Sequence, residues 1–111
     1  MSILYRPVGL NELGLVQASE WKRFPPRLPE QPIFYPVTTF DYALQIARWN
    51  LAASGAGYVL RFEIDSTYLS QFSTHVVGSK EHQEYWIPAE NLEEFNNNII
   101  GVIEIIASVI H

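Results

Sequence analysis

The chain contains no cysteine. That excludes disulfides, thiolate nucleophiles and zinc–thiolate centres together, and it fits a cytoplasmic setting. Basic residues are scarce too: seven Lys and Arg stand against twelve Asp and Glu, for a formal net charge of −5. Binding nucleic acid by phosphate neutralisation needs clustered cations, so no nucleic-acid partner is expected. No apolar run approaches the roughly 18 residues of a membrane-spanning helix. The longest apolar tract, Ile99 to Ile110, is broken by Gly101, Glu104 and Ser108. The first residues, MSILYRPVGL, lack the basic and then apolar regions of a signal peptide. Neither a membrane nor export is expected.

Chemical signatures are missing as well. There is no G-x-S-x-G elbow, no phosphate-binding glycine loop and no H-E-x-x-H pair. His75, Glu81, His82 and Glu84 are metal-capable, but no helix-borne H-E-x-x-H pattern contains them, so no metal is expected.

What remains is the composition of an ordinary folded domain. Hydrophobic residues make up 48% and aromatics 14% of 111 residues. This is enough for one core and too short for two, so residues 1–111 are expected to form a single domain. Strands are expected at Ser2 to Val8, Ile33 to Val37, Tyr58 to Ile64, Thr74 to Val77, Glu84 to Ile87 and Ile100 to Ile106. The third alternates best, with Tyr58, Leu60, Phe62 and Ile64 on one face. Helices are expected at Gly9 to Ser19, where Leu10, Leu13 and Val16 share a stripe, and at Phe40 to Ala53, capped by Thr38 or Thr39. Asp65 to Phe72 reads as a short helix or turn capped by Asp65 or Ser66, and Ala89 to Phe95 as one or two helical turns. Ser54 to Gly57, Gly78 to Lys80 and the Asn96-Asn97-Asn98 triplet read as turns or loops. The strands do not alternate with crossover-length helices. The fold class is therefore α+β, with a mixed, mostly antiparallel sheet of about six short strands and two or three helices.

Three constellations carry chemistry. Glu81-His82-Gln83-Glu84 sits between a glycine turn and a strand, and strand geometry puts His82 and Glu84 on one face, where they can share a proton or grip a polar ligand. The competing reading is a solvated loop. Trp21 to Pro32 (WKRFPPRLPEQP) is a long basic loop with four prolines after Glu20; stiffened by proline, it offers Lys22, Arg23 and Arg27 to phosphates and Trp21 and Phe24 as stacking faces. The competing reading folds those aromatics onto the core. The third is Arg6, alone on the first strand beside Tyr5.

The order of these features resembles a small ADP-ribosyltransferase-like domain, and is similar to short bacterial proteins labelled as ADP-ribosylation proteins. The family pattern has an Arg or His on the first strand, an aromatic and Ser/Thr strand before a helix, and a Glu at the start of a later strand. The matching segments are Leu4-Tyr5-Arg6, then Ile33 to Thr39 followed by the helix from Phe40, then Gln83 to Pro88. The family's Ser-Thr-Ser is replaced by Val37-Thr38-Thr39, and its Glu-x-Glu or Gln-x-Glu by His82-Gln83-Glu84. The resemblance implies NAD as cofactor-like substrate and an unknown acceptor as partner. It implies Arg6 on the NAD phosphates or ribose, helped by Lys22, Arg23 or Arg27. Tyr35 or Phe34 would stack on nicotinamide, with Thr38 and His82 also at the cofactor, and Glu84 would be the catalytic carboxylate. The alternative is an inactive binding or assembly module: Ile100 to Ile106 would lie buried as a central strand, or would pair across a homodimer interface.

Overall fold

A computed structural model describes residues 1–78 and 82–110. The Ser79–Lys80 part of the expected turn, and Glu81, lie outside them. The architecture is α+β, and every strand pairing is antiparallel. Among the described residues there are seven strands and four α-helices, more of each than the patterning implied.

Strand β3 (Ala56–Ile64) is the axis of the molecule. It pairs on one side with β1 (Ser2–Val8) and on the other with β7 (Ile99–Ile110). Both of its faces are covered. Leu60, Phe62 and Ile64 join Leu4, Val8 and Phe34 in a larger core beneath helix α1 (Leu10–Ala18) and the proline-rich loop. Val59, on the opposite face, joins Val37, Tyr42, Ala43 and Ala47 beneath helix α2 (Phe40–Ser54). Helix α2 begins where Thr39 accepts the Tyr42 amide at 3.3 Å, and it stops at Gly55, whose φ of +86° is available to glycine at little cost. Gly57, expected in a turn, belongs instead to β3. A side chain there would fall on the Ala47 carbonyl, so glycine is what lets α2 lie against the sheet.

The expected strand Ile33 to Val37 is split. Strand β2 (Ile33–Phe34) pairs with β6 (Ile87–Pro88), whereas Val37 bridges Tyr5 on one side and Glu84 on the other. The expected strand Glu84 to Ile87 divides in the same way. Strand β5 (Gln83–Tyr85) pairs with β4 (Thr74–Val76), Trp86 swings out, and Pro88 ends up inside β6 rather than after it. The cause is a change of partner: residues 36–38 bond β5 through Thr38 N to Gln83 O (3.1 Å) and Tyr85 N to Pro36 O (2.9 Å). Residues 33–34 turn away to β6.

Two further expectations are corrected, for the Asn96-Asn97-Asn98 loop and for β7, and the short helix expected after Asp65 forms. Asn96 and Asn97 belong to helix α4 (Leu92–Asn97), because the buried Asn96 amide bonds both the Phe24 amide (2.9 Å) and its carbonyl (3.0 Å). Helix α3 (Ser66–Leu69) is a single turn capped by Asp65. Strand β7 is an edge strand and not a central one. Its register slips twice against β3, once at Ile106 and once around Gly101 at φ +72°, and Ile100, Val102, Ile105 and Ile106 are exposed. No helix among the described residues is long and apolar enough to cross a membrane.

Candidate functional site

The site begins with a missing N–H. Tyr5 exchanges both main-chain bonds with Val37, at 2.9 and 2.8 Å. The next main-chain donor on that side of β1 would come from residue 7, and residue 7 is proline. The ladder ends at Tyr5. Past it, β1 and the chain at Tyr35 diverge, and a cleft of about 710 Å³ opens between them. Arg6, Arg27, Tyr35, Val37, Glu84 and Trp86 are among the residues that line it.

Glu84 forms one wall. It stands directly across from Val37, as Val37 does from Tyr5, so these three share the α2 face of the sheet. Its Oε2 accepts the Tyr42 hydroxyl at 3.1 Å, and its Oε1 accepts Trp86 Nε1 at 2.8 Å. Burial, and after it the Glu84 charge and hydrogen bond, push the Tyr42 hydroxyl up to about 12, so it remains a donor throughout the physiological range. The carboxylate is thus fixed by one donor from α2 and one from the residue that follows its strand.

Arg6 forms the opposite wall, on the other face of the sheet. Its Nε and Nη2 grip both Glu12 oxygens at 2.9 Å, its Nη1 reaches the Tyr35 carbonyl at 3.5 Å, and the guanidinium lies 4.9 Å from the Phe34 ring centroid. Arg27 approaches the same Glu12 carboxylate at 3.9 Å. Burial, followed by the Arg6 charge, lowers the Arg27 pKa from its ordinary value. Tyr35 and Trp86 meet edge to face at 6.2 Å on the cleft rim, and Trp86 also stacks on His75 at 3.7 Å. Trp86, inside the strand expected over Glu84 to Ile87, is an exposed rim residue.

Not every expected residue comes here. His82 sits one step outside, stacked on the Tyr42 ring at 4.4 Å. The Thr38 hydroxyl is turned to the Gln83 carbonyl at 3.4 Å, at the strand junction. Arg23 is remote: it donates to Asn97 Oδ1 at 3.2 Å, beside α4. Lys22 is exposed, and its amide bonds the Ser19 hydroxyl. Glu12 and Tyr42, the partners of Arg6 and Glu84, carry no local motif. The only sequence hint for Glu12 was a carboxylate in the first turn of the helix that follows Arg6.

The cleft lining holds two guanidiniums, three carboxylates (Glu12, Glu30 and Glu84) and two exposed aromatic rings. The rings suit a planar group, and Arg27, 3.9 Å from its nearest carboxylate among the described residues, is the guanidinium that could meet an anionic one. No group of three or more metal-capable side chains occurs among the described residues. Comparison with family models, curated proteins and solved structures finds no match.

Proposed function

We propose that the chain is an ADP-ribosyltransferase-like domain that binds NAD in this cleft and breaks its nicotinamide–ribose bond. The observation that carries the proposal is the anchored carboxylate of Glu84 in the wall of a cleft that also holds Arg6 and Arg27. The bond would break heterolytically. Its electron pair leaves with neutral nicotinamide, and positive charge develops on the ribose ring. Glu84, already oriented by Tyr42 and Trp86, faces that charge or accepts the adjacent ribose hydroxyl. An acceptor nucleophile, or water, then bonds to the anomeric carbon and loses its proton. Tyr35 and Trp86 offer faces or edges to the nicotinamide ring. The Arg27 charge serves the diphosphate, with Arg6 contributing through the pair it makes with Glu12. A cytoplasmic location would supply NAD.

Release of nicotinamide from NAD tests this. Glu84→Gln keeps the shape and removes the charge, and a fall of about a hundred-fold or more is expected for an oriented group facing transition-state charge. Equal rates in both proteins, or no release by either, would defeat the enzymatic reading.

A second reading rests on its own observation. Strand β7 presents an open edge with four exposed aliphatic side chains, and Arg6 is already paired with Glu12. A non-catalytic assembly module would use that edge to pair two copies.

A further inference from the structure

A second cleft, of about 860 Å³, is lined by α1 and the proline-rich loop on their solvent side. It shares Gly9, Glu12, Arg27 and Gln31 with the Glu84 cleft, so the two meet along one wall. Beyond that wall its lining is mostly apolar, with Leu10, Leu15, Leu28, Pro25 and Pro26, and polar only at Asn11 and Ser54. The three leucines are 62%, 56% and 56% exposed. Within α1 only Val16 is buried, so Leu10 and Leu15 face the groove and not the core.

Arg27 stands at the junction. Its side chain is only 10% exposed, and its Nε donates to the Gln31 carbonyl at 3.2 Å. Glu12, its nearest carboxylate among the described residues, is 3.9 Å away, beyond hydrogen-bond reach, and is already held by two 2.9 Å bonds from Arg6. One carboxylate therefore serves two buried guanidiniums, and the second is left without a close anion. The first turn of α1 starts at the same wall, and no side chain caps it. Its unpaired N–H groups add to the positive potential there.

We infer that Arg27 binds the diphosphate of a dinucleotide whose second nucleoside lies in the leucine–proline groove. The inference rests on the Glu84 cleft taking the nicotinamide half, and it assigns the other half. The groove fits a nucleoside better than a bare anion or an alkyl chain. A phosphate ion has no use for its apolar walls, and an alkyl chain has no use for Arg27. A flat base covers leucine and proline surface, while Asn11 and Ser54 at the margin meet its edges or the ribose hydroxyls.

Adenosine diphosphate and nicotinamide mononucleotide, titrated separately by calorimetry, test this on the wild type, Arg27→Gln and Leu28→Glu. Leu28 is exposed, so its replacement leaves the core alone, and an unchanged melting temperature confirms that. Adenosine diphosphate is expected to bind the wild type and to bind each variant at least about ten-fold more weakly. Nicotinamide mononucleotide is expected to bind wild type and Leu28→Glu alike. Absence of adenosine diphosphate binding, or equal binding by all three proteins, overturns the inference. The two proposals fail separately. Glu84-dependent nicotinamide release with adenosine diphosphate indifferent to Arg27 and Leu28 removes only the second-nucleoside site. Adenosine diphosphate binding through Arg27 and Leu28, without nicotinamide release, removes only the enzymatic reading.

Discussion

Glu84 and Tyr42 form a pair whose behaviour follows from its proton. The Tyr42 hydroxyl is pushed up from 10.0 to about 12, first by burial and then by Glu84. A raised folded-state pKa means that the unfolded chain loses its proton first as pH rises. Between pH 10 and about 12 the folded state holds one more proton than the unfolded state, so stability falls with rising pH in that window and is fully present below it. A loss of about 1–2 kcal/mol is expected from this residue. Denaturant titrations of wild type and Tyr42→Phe at pH 9 and pH 11.5 isolate it: the variant should lose less between the two values. An identical loss in both would show that the hydroxyl is not held as described. The pair also shows where local reading ends. Glu84 is visible from its strand-start motif. Tyr42 is an ordinary aromatic on a helix, and only the packing of α2 over the sheet brings its hydroxyl to Glu84. Glu12 is hidden in the same way, since its role depends on the angle at which α1 leaves β1.

At the scale of elements, the segments with strong local rules were readable. The Ser2–Val8 strand, the helix from Phe40 with its Thr39 cap and the alternating strand through Ile64 all form nearly as the patterning predicts. Elements decided by partner choice were not. Ile33 to Val37 and Glu84 to Ile87 each have one continuous β-forming composition. Whether they stay whole depends on which neighbour each residue meets. The apolar run of β7 implied burial on both faces, but composition does not reveal which strand lies at an edge. Gly57 illustrates a contact with no sequence signature: it read as a turn residue, yet it is the point where α2 touches β3. Gly57→Ala forces the new methyl against the Ala47 carbonyl, and the helix must lift. A loss of about 3 kcal/mol or more is expected, measurable as a fall in the denaturation midpoint. Gly55→Ala changes backbone strain and creates no such clash, and should cost only about 1 kcal/mol. Equal effects would contradict the close approach.

The molecule as a whole carries a net charge of −5, which keeps copies apart. Four exposed aliphatic side chains, however, lie along β7. The sole charge there, Glu104, is paired with Arg61 at 3.1 Å. The edge has two natural defences: its register shifts, and the Trp21 carbonyl, which takes the Ile103 amide at 2.6 Å. If the edge nevertheless joins two copies, sizing chromatography should show a dimer, and Ile105→Lys should return it to monomer without loss of melting temperature. A monomeric wild type across the micromolar range would remove the assembly reading.

The central position of β3 has a consequence for how the chain comes to exist. Its two neighbours are the earliest and the latest strands in the chain, and neither lies beside it in sequence. Closing each pairing confines a loop of dozens of residues before any ladder bond forms. A nascent chain holding β1 and β3 but not yet β7 would leave one whole side of its central strand without a partner. During synthesis, the interval before Ile99 to Ile110 emerges is therefore the period of greatest exposure to aggregation, and a stalled or shortened product should be the form that chaperones retain.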